Sequence, residues 1–420
     1  MRQSGRVSLP EPFRRDTRLD TYVDAYAERT HGLTVSAVRA LFAVANRPEV
    51  VSLAGGMPNI ADLPRAELGE AVARLIREQG TQAMQYGSGQ GEPFMREKIV
   101  EVMAEEAIQA HADDIVVSCG SQQALDLVTR VFCDPGDVVL AEGPSYVGAL
   151  GTFHAYQCEV VHIAMDDHGI IPDALAHAVV TLRAAGRKVK FLYTIPNFQN
   201  PTGLTYTQAV RERAAEILKA AGTPVIEDNP YGELRFHGEG GSSFATLLGE
   251  QCAAMGTFSK IVAPGMRIGW IACKQPELYA KLLAFKSTMD LHTNIFGQMV
   301  LAQYLLDNDL DDQIEKIKEM YREKAEKMMA CMAEDFPADV KYTKPEGGMF
   351  IWATMPEGLK AVDVMEAAAK KGVAVCPGDP FYEEDRDVRT MRINYSNSSD
   401  EAIEKGIKIL GDTIKKLLAK

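Results

Sequence analysis

Lys260 closes the run Gly256-Thr257-Phe258-Ser259-Lys260, behind the apolar, strand-like Ala253-Ala254-Met255 and ahead of Pro264-Gly265-Met266-Arg267. No acid stands in this stretch, and the next base is Arg267. An ammonium that is partly desolvated and close to a second cation has a lowered pKa, and its free amine is a nucleophile. Read alone, the same lysine could sit at a strand end with its head in water. Three other polar clusters also follow short apolar runs. They are Cys119-Gly120-Ser121-Gln122 after 115–118, Asn197-Phe198-Gln199-Asn200-Pro201-Thr202-Gly203 after 190–194, and Glu227-Asp228-Asn229-Pro230-Tyr231 after 224–226. Free amides and a hydroxyl at a helix start favour an anion such as phosphate, although Ser121 also reads as an ordinary N-cap.

These clusters share a site only if the elements behind them share an edge. Strand-like runs at 115–118, 138–141, 159–163, 190–194, 224–227, 253–256 and 268–272 alternate with helical stretches at 122–132, 146–156, 171–185 and 207–221. Such alternation predicts an α/β fold with a largely parallel sheet covered on both faces. Ligands in such sheets bind beyond the carboxyl ends of the strands, where a carboxylate, a tyrosine, an amide, a lysine and an anion cup would then meet.

Upstream, 33–45 reads as a helix carrying Arg39, and a short strand at 50–53 runs into Ala54-Gly55-Gly56-Met57-Pro58. The paired glycines mark either a plain turn or a backbone that comes close to something. Helices are expected at 65–79 and 94–110, separated by a glycine-rich loop with Tyr86 that lacks the nucleotide pattern. Downstream, a long charged helix is expected over 311–330, and strands at 349–353, 373–375 and 390–395 precede a closing helix from Asp400. The expected organisation is an arm (1–30), a segment reaching the small domain (31–64), a large domain (65–300), a connecting helix (301–330) and a smaller α+β domain (331–420).

A net charge of -13, spread along 420 residues, argues against nucleic acid as a partner. Seven scattered cysteines without CxxC and eight histidines without HExxH predict reduced thiols and no metal. The polar, basic start has no apolar segment behind it, so no signal peptide is expected, and no apolar run is long enough for a bilayer. The composition fits a soluble cytoplasmic enzyme.

Together, Ser259-Lys260, Asn200-Pro201-Thr202-Gly203, Asp228 with Tyr231, Arg267 and the late Met391-Arg392-Ile393 resemble the pyridoxal-phosphate (PLP) enzymes of the aspartate aminotransferase fold, fold type I, over roughly residues 30–415. Within these, Gly120-Ser121-Gln122-Gln123, Phe198-Gln199-Asn200-Pro201-Thr202-Gly203 and Pro345-Glu346-Gly347-Gly348-Met349-Phe350-Ile351-Trp352 resemble the 2-aminoadipate, kynurenine and aromatic aminotransferase branch. The branch includes the aminotransferase-like half of MocR-type regulators, and the arm here is too short for their helix-turn-helix module. Cys119 replaces a small polar residue and Thr257 a serine, whose hydroxyl function threonine keeps.

The resemblance implies roles. Lys260 would carry the PLP aldehyde and shuttle the substrate proton. Asp228 would keep the pyridine nitrogen protonated, and Tyr231 and Asn200 would bond the phenolic oxygen. Ser121, Gln122, Thr257, Ser259 and Arg267 would grip the phosphate. Tyr146 would stack on the ring, unless it is a core tyrosine. Tyr86 would reach the phosphate of a second subunit, which implies a homodimer with shared sites. Arg392 would fork onto the substrate carboxylate, unless it sits in a surface ion pair, and Gly55 and Gly56 would admit the substrate. Arg39 would meet an acidic side chain or else face solvent. The implied activity is transamination, with glutamate and 2-oxoglutarate on one side and an aromatic, aminoadipate or branched-chain amino acid on the other. β-Elimination or decarboxylation on the same fold, or PLP sensing without turnover, are the alternatives.

Overall fold

The computed structural model describes residues 22–30, 50–60, 64–383 and 388–419. The expected helix over 33–45, and Arg39 with it, lie outside the described residues. Residues 22–30 hold two single 3-10 turns, Val23–Ala25 and Glu28–Thr30.

From residue 50 the order is β1 (Val51–Ser52), α1 (Arg65–Ala83), α2 (Pro93–Glu105), β2 (Ile115–Ser118), α3 (Ser121–Phe132), β3 (Val138–Gly143), α4 (Val147–Ala155), β4 (Glu159–Asp166) and β5 (Gly169–Ile170). Next come α5 (Pro172–Ala184), β6 (Val189–Thr194), α6 (Gln208–Ala221), β7 (Val225–Asp228), α7 (Phe244–Leu248), β8 (Cys252–Thr257) and β9 (Gly269–Ala272). Helices α8 (Pro276–Met289), α9 (Ile295–Asp307) and α10 (Leu310–Asp335) lead to β10 (Lys341–Tyr342), β11 (Phe350–Thr354), α11 (Ala361–Ala369), β12 (Val373–Ala374), β13 (Cys376–Pro377), β14 (Thr390–Asn394) and α12 (Asp400–Leu418).

The main sheet has the order β2-β9-β8-β7-β6-β3-β4-β5. Pairs β3–β4, β3–β6, β6–β7 and β7–β8 are parallel. Alternate residues of one strand enter two different cores: Val139, Phe191 and Ile226 join one, and Leu140, Leu192 and Val225 the other. Both faces are therefore covered, which is why apolar residues follow one another along these strands instead of alternating with polar ones.

The parallel pattern breaks at β9, which runs against both β8 and β2. Residues 258–268 contain one 3-10 turn, Pro264–Met266, and no crossover helix, so the chain folds straight back. The reversal matters, because β9 begins where its neighbours end: Gly269 pairs with Thr257 on one side and Ser118 on the other.

Three further expectations need correction. The helix expected to 110 ends at Glu105, since Ala107 is left-handed at φ 56° and stops it. The region 301–330 is not one helix. Asn308 and Asp309 separate α9 from α10, and Asp309 accepts from Asp311 N at 2.9 Å to start the second. The run 373–375 is shared between two sheets: β12 pairs in parallel with β1, whereas β13 joins β14 in the four-stranded sheet β10-β11-β14-β13.

Candidate active site

Strand ends Ser118, Thr194, Asp228 and Thr257 converge on one edge of the main sheet, and the reversed β9 returns Arg267 to the same edge. Helix α3 starts there with Gly120 as its N-cap, a residue without a side chain to cap the first amides. The guanidinium of Arg267 lies across Gly120, where a Cβ would collide with it. Arg267 donates to the Cys119 carbonyl at 3.0 Å and to Ser259 Oγ at 3.3 Å. Thr257 Oγ1 accepts from Ser259 N at 3.2 Å and lies 2.9 Å from Ser259 Oγ. A helix N-terminus, two hydroxyls and a guanidinium thus form one anion cup.

Lys260 is half-buried and its Nζ donates to the Gly56 carbonyl at 3.0 Å. Burial, with the nearby charges of Arg392 and Arg267, pushes its pKa from 10.5 down to about 8. The Nζ lies 6.0 Å from the centre of the Tyr231 ring.

Asp228 is 3% exposed, and burial pushes its carboxyl up to about 7. Tyr193 opposes that shift by donating to Oδ2 at 2.8 Å, whereas Oδ1 has no hydrogen-bond partner. Asn200 bridges two other expected residues. Its Nδ2 donates to the Tyr231 hydroxyl at 3.3 Å, and its Oδ1 accepts from Arg392 Nη1 at 2.8 Å. Arg392 also donates to the Ala54 carbonyl at 3.1 Å, beside Gly55 and Gly56, and its Cζ lies 4.4 Å and 5.1 Å from the ring centres of Phe350 and Phe381. It is 3% exposed, so it is no surface ion-pair arginine.

Gln122 spends its side chain on Gly148 O and Thr152 Oγ1 and accepts from the Tyr146 hydroxyl at 3.3 Å, leaving only its amide for the cup. Tyr86 is 77% exposed, with its ring 5.7 Å from that of His292.

Sequence reasoning missed Tyr193 and Glu142. Tyr193 is the penultimate residue of β6, and a polar tip at the end of an apolar strand was its only signal. Glu142 was signalled only as an acid inside an otherwise apolar strand.

The donor set fits pyridoxal phosphate. An unpartnered buried carboxylate oxygen suits a pyridinium N–H, the cup suits the phosphate, and a lysine of lowered pKa suits the aldehyde.

The family model for aminotransferase class I and II matches residues 49–410. The aromatic-amino-acid aminotransferase 1 of Thermococcus litoralis is 41% identical over 402 residues, covering 95% of this chain and 96% of its own. The 2-aminoadipate transaminase of Thermus thermophilus is 34% identical over 403 residues, covering 95% and 98%. The crystal structure of Pyrococcus horikoshii kynurenine aminotransferase, in complex with PMP, matches with a TM-score of 0.90 and 37% identity, covering 95% of this chain and 99% of that one. With the aspartate aminotransferase-like fold and this site, the chain belongs to the class I and II aminotransferases and catalyses pyridoxal-phosphate-dependent transamination.

Proposed function

We propose that the enzyme moves the amino group of an aromatic amino acid or 2-aminoadipate, with branched-chain amino acids as further donors, to 2-oxoglutarate in a ping-pong cycle. The observation that carries this reading is Arg392, buried between Phe350 and Phe381 and held by Asn200. A fixed fork binds a carboxylate through two parallel bonds, and the flanking rings suit an apolar or aromatic substrate body. The names of the Thermococcus and Thermus relatives support both donor classes.

When bound, pyridoxal phosphate supplies an aldehyde and an electron-accepting ring. Lys260 would be the nucleophile toward that aldehyde and the base that holds and returns the substrate Cα proton. Asp228 would keep the ring nitrogen protonated. Tyr231 and Asn200 would hold the phenolic oxygen, and Tyr146 would support the ring. Amides of Ser121 and Gln122, the hydroxyls of Thr257 and Ser259, and Arg267 would hold the phosphate. Arg392 grips the carboxylate, while Gly55 and Gly56 let the substrate approach.

The exposed Tyr86 supports a homodimer in which each subunit lends this tyrosine to the other's phosphate. The division into a cofactor-binding part at 65–300 and a smaller part at 331–420 is supported by the separate sheets within 115–272 and 341–394. Among the described residues, no helix is long and apolar enough to cross a membrane. The seven free thiols support a reducing, cytoplasmic setting.

The test is to record the visible spectrum of the purified protein and follow its bleaching as single amino acids are added. Faster bleaching by tyrosine, 2-aminoadipate and glutamate than by alanine supports the reading, and the reverse order overturns it. Sedimentation of the holoenzyme tests the dimer.

A further inference from the structure

Glu142 is completely buried at the end of β3, and no step above uses it. Its Oε1 accepts from Thr194 Oγ1 at 2.7 Å, Tyr206 OH at 2.7 Å and Ile195 N at 2.8 Å. Its Oε2 accepts from Gln199 Nε2 at 2.9 Å. Burial pushes the carboxyl up to about 7, and the donors pull it back toward the ionised form they require.

Gln199 is bound just as fully. Its Nε2 also donates to the Pro144 carbonyl at 2.8 Å, and its Oε1 accepts from Thr202 N at 2.9 Å and Thr202 Oγ1 at 2.7 Å. The backbone on both sides of Asn200 is thereby tied to one carboxylate. Asn200 is the residue that reaches Tyr231 with one end of its amide and Arg392 with the other. The main chain of Glu142 makes a second connection. Its carbonyl lies 2.5 Å from His162 Nδ1, and His162 Nε2 accepts from Glu383 N at 3.1 Å, two residues beyond the Phe381 that flanks Arg392.

We propose that Glu142 is a positioning residue, which sets the Asn200 amide through Gln199 and so fixes where Tyr231 and Arg392 meet the cofactor and the substrate carboxylate. Side chains locked by fully satisfied buried hydrogen bonds hold the groups in front of them to the geometry that transfer needs. The proposal rests on the roles given above to Asn200, Tyr231 and Arg392.

Three variants of the holoenzyme test it. Glu142→Gln leaves an oxygen for Thr194, Tyr206 and Ile195 but turns an N–H toward the Gln199 N–H. Gln199→Met cuts the same bond from the other side and leaves Glu142 intact. Thr194→Val removes a Glu142 partner that does not lead to Asn200. Three quantities are read: the midpoint of the visible absorbance against pH, the calorimetric dissociation constant for 3-phenylpropionate, and the melting temperature. Glu142→Gln and Gln199→Met are expected to move the midpoint by about half a pH unit or more. They should weaken 3-phenylpropionate about tenfold, with Thr194→Val changing neither. The proposal is overturned if both variants melt cooperatively with parental midpoint and affinity, or if Thr194→Val shifts them as much. Should Glu142→Gln fail to fold, Gln199→Met decides alone. A parent enzyme without a visible band would refute the role of Lys260 instead, and calorimetry would still judge Glu142.

Discussion

Tyr193 donates its hydroxyl hydrogen to Oδ2 of Asp228 at 2.8 Å, and both side chains are buried. That bond opposes the burial that drives Asp228 toward the neutral acid. A neutral acid cannot stabilise a protonated ring nitrogen by charge. Tyr193→Phe keeps the ring and removes the donor, so kcat should fall about tenfold, with a similar loss of cofactor affinity. Asp228→Asn removes the charge itself and should cost about 10²–10³ in kcat while the protein stays coloured. Steady-state rates and equilibrium dialysis of the cofactor check both.

Lys260 makes the apoprotein sensitive to pH. Its folded pKa of about 8 lies below the ordinary 10.5, mainly because of burial. Between those values the unfolded chain binds more protons than the folded one, so stability rises with pH across that window. The rate at which the apoprotein takes up pyridoxal phosphate should rise with a midpoint near pH 8, because only the free amine reacts. In urea titrations, the parent should gain more stability than Lys260→Met between about pH 8 and 10.5. Equal slopes would show that Lys260 titrates alike in both states.

Lys260, Asp228, Asn200 and Ser121 are legible in the sequence because each follows a short apolar run, and a parallel sheet sends the ends of such runs to one edge. The placement of Arg267 is not legible in that way. It depends on β9 running against β8, and apolar strands read the same in either direction. Glu142 and Tyr193 lie inside strands, where periodicity predicts only core, and what marks them is partners 35 to 64 residues away along the chain. Helix ends slipped for local reasons, such as the left-handed Ala107. The split of 373–377 between two sheets depends on contacts with β1 and β14 that no local pattern encodes.

Arg392 is held by Asn200 and Ala54 and flanked by two rings, a setting that suits a planar cation. Lysine has the charge but neither the fork nor the flat face. Arg392→Lys should raise KM for amino acids and 2-oxo acids about 10- to 100-fold, as expected when one charge-assisted bond and the orientation it gives are lost. The cofactor spectrum without substrate should change little. Kinetics on both half-reactions, with spectra taken before substrate is added, separate these effects.

Gly120 tests the anion cup without replacing a charged group. Its φ of 73° and ψ of 165° lie in a region open to glycine alone, and a Cβ there would meet the Arg267 guanidinium. Such backbone strain costs about 1–3 kcal/mol. Gly120→Ala should therefore lower the melting temperature of the apoprotein by a few degrees and displace Arg267 from the helix start. Because the damage is confined to the phosphate end, the dissociation constant for pyridoxal phosphate should rise about tenfold or more. Pyridoxal, which has the aldehyde and ring but no phosphate, should bind the variant and the parent alike. An equal loss for both ligands would mean that the cup and the ring site are not separable, and that Gly120 serves the fold rather than the phosphate.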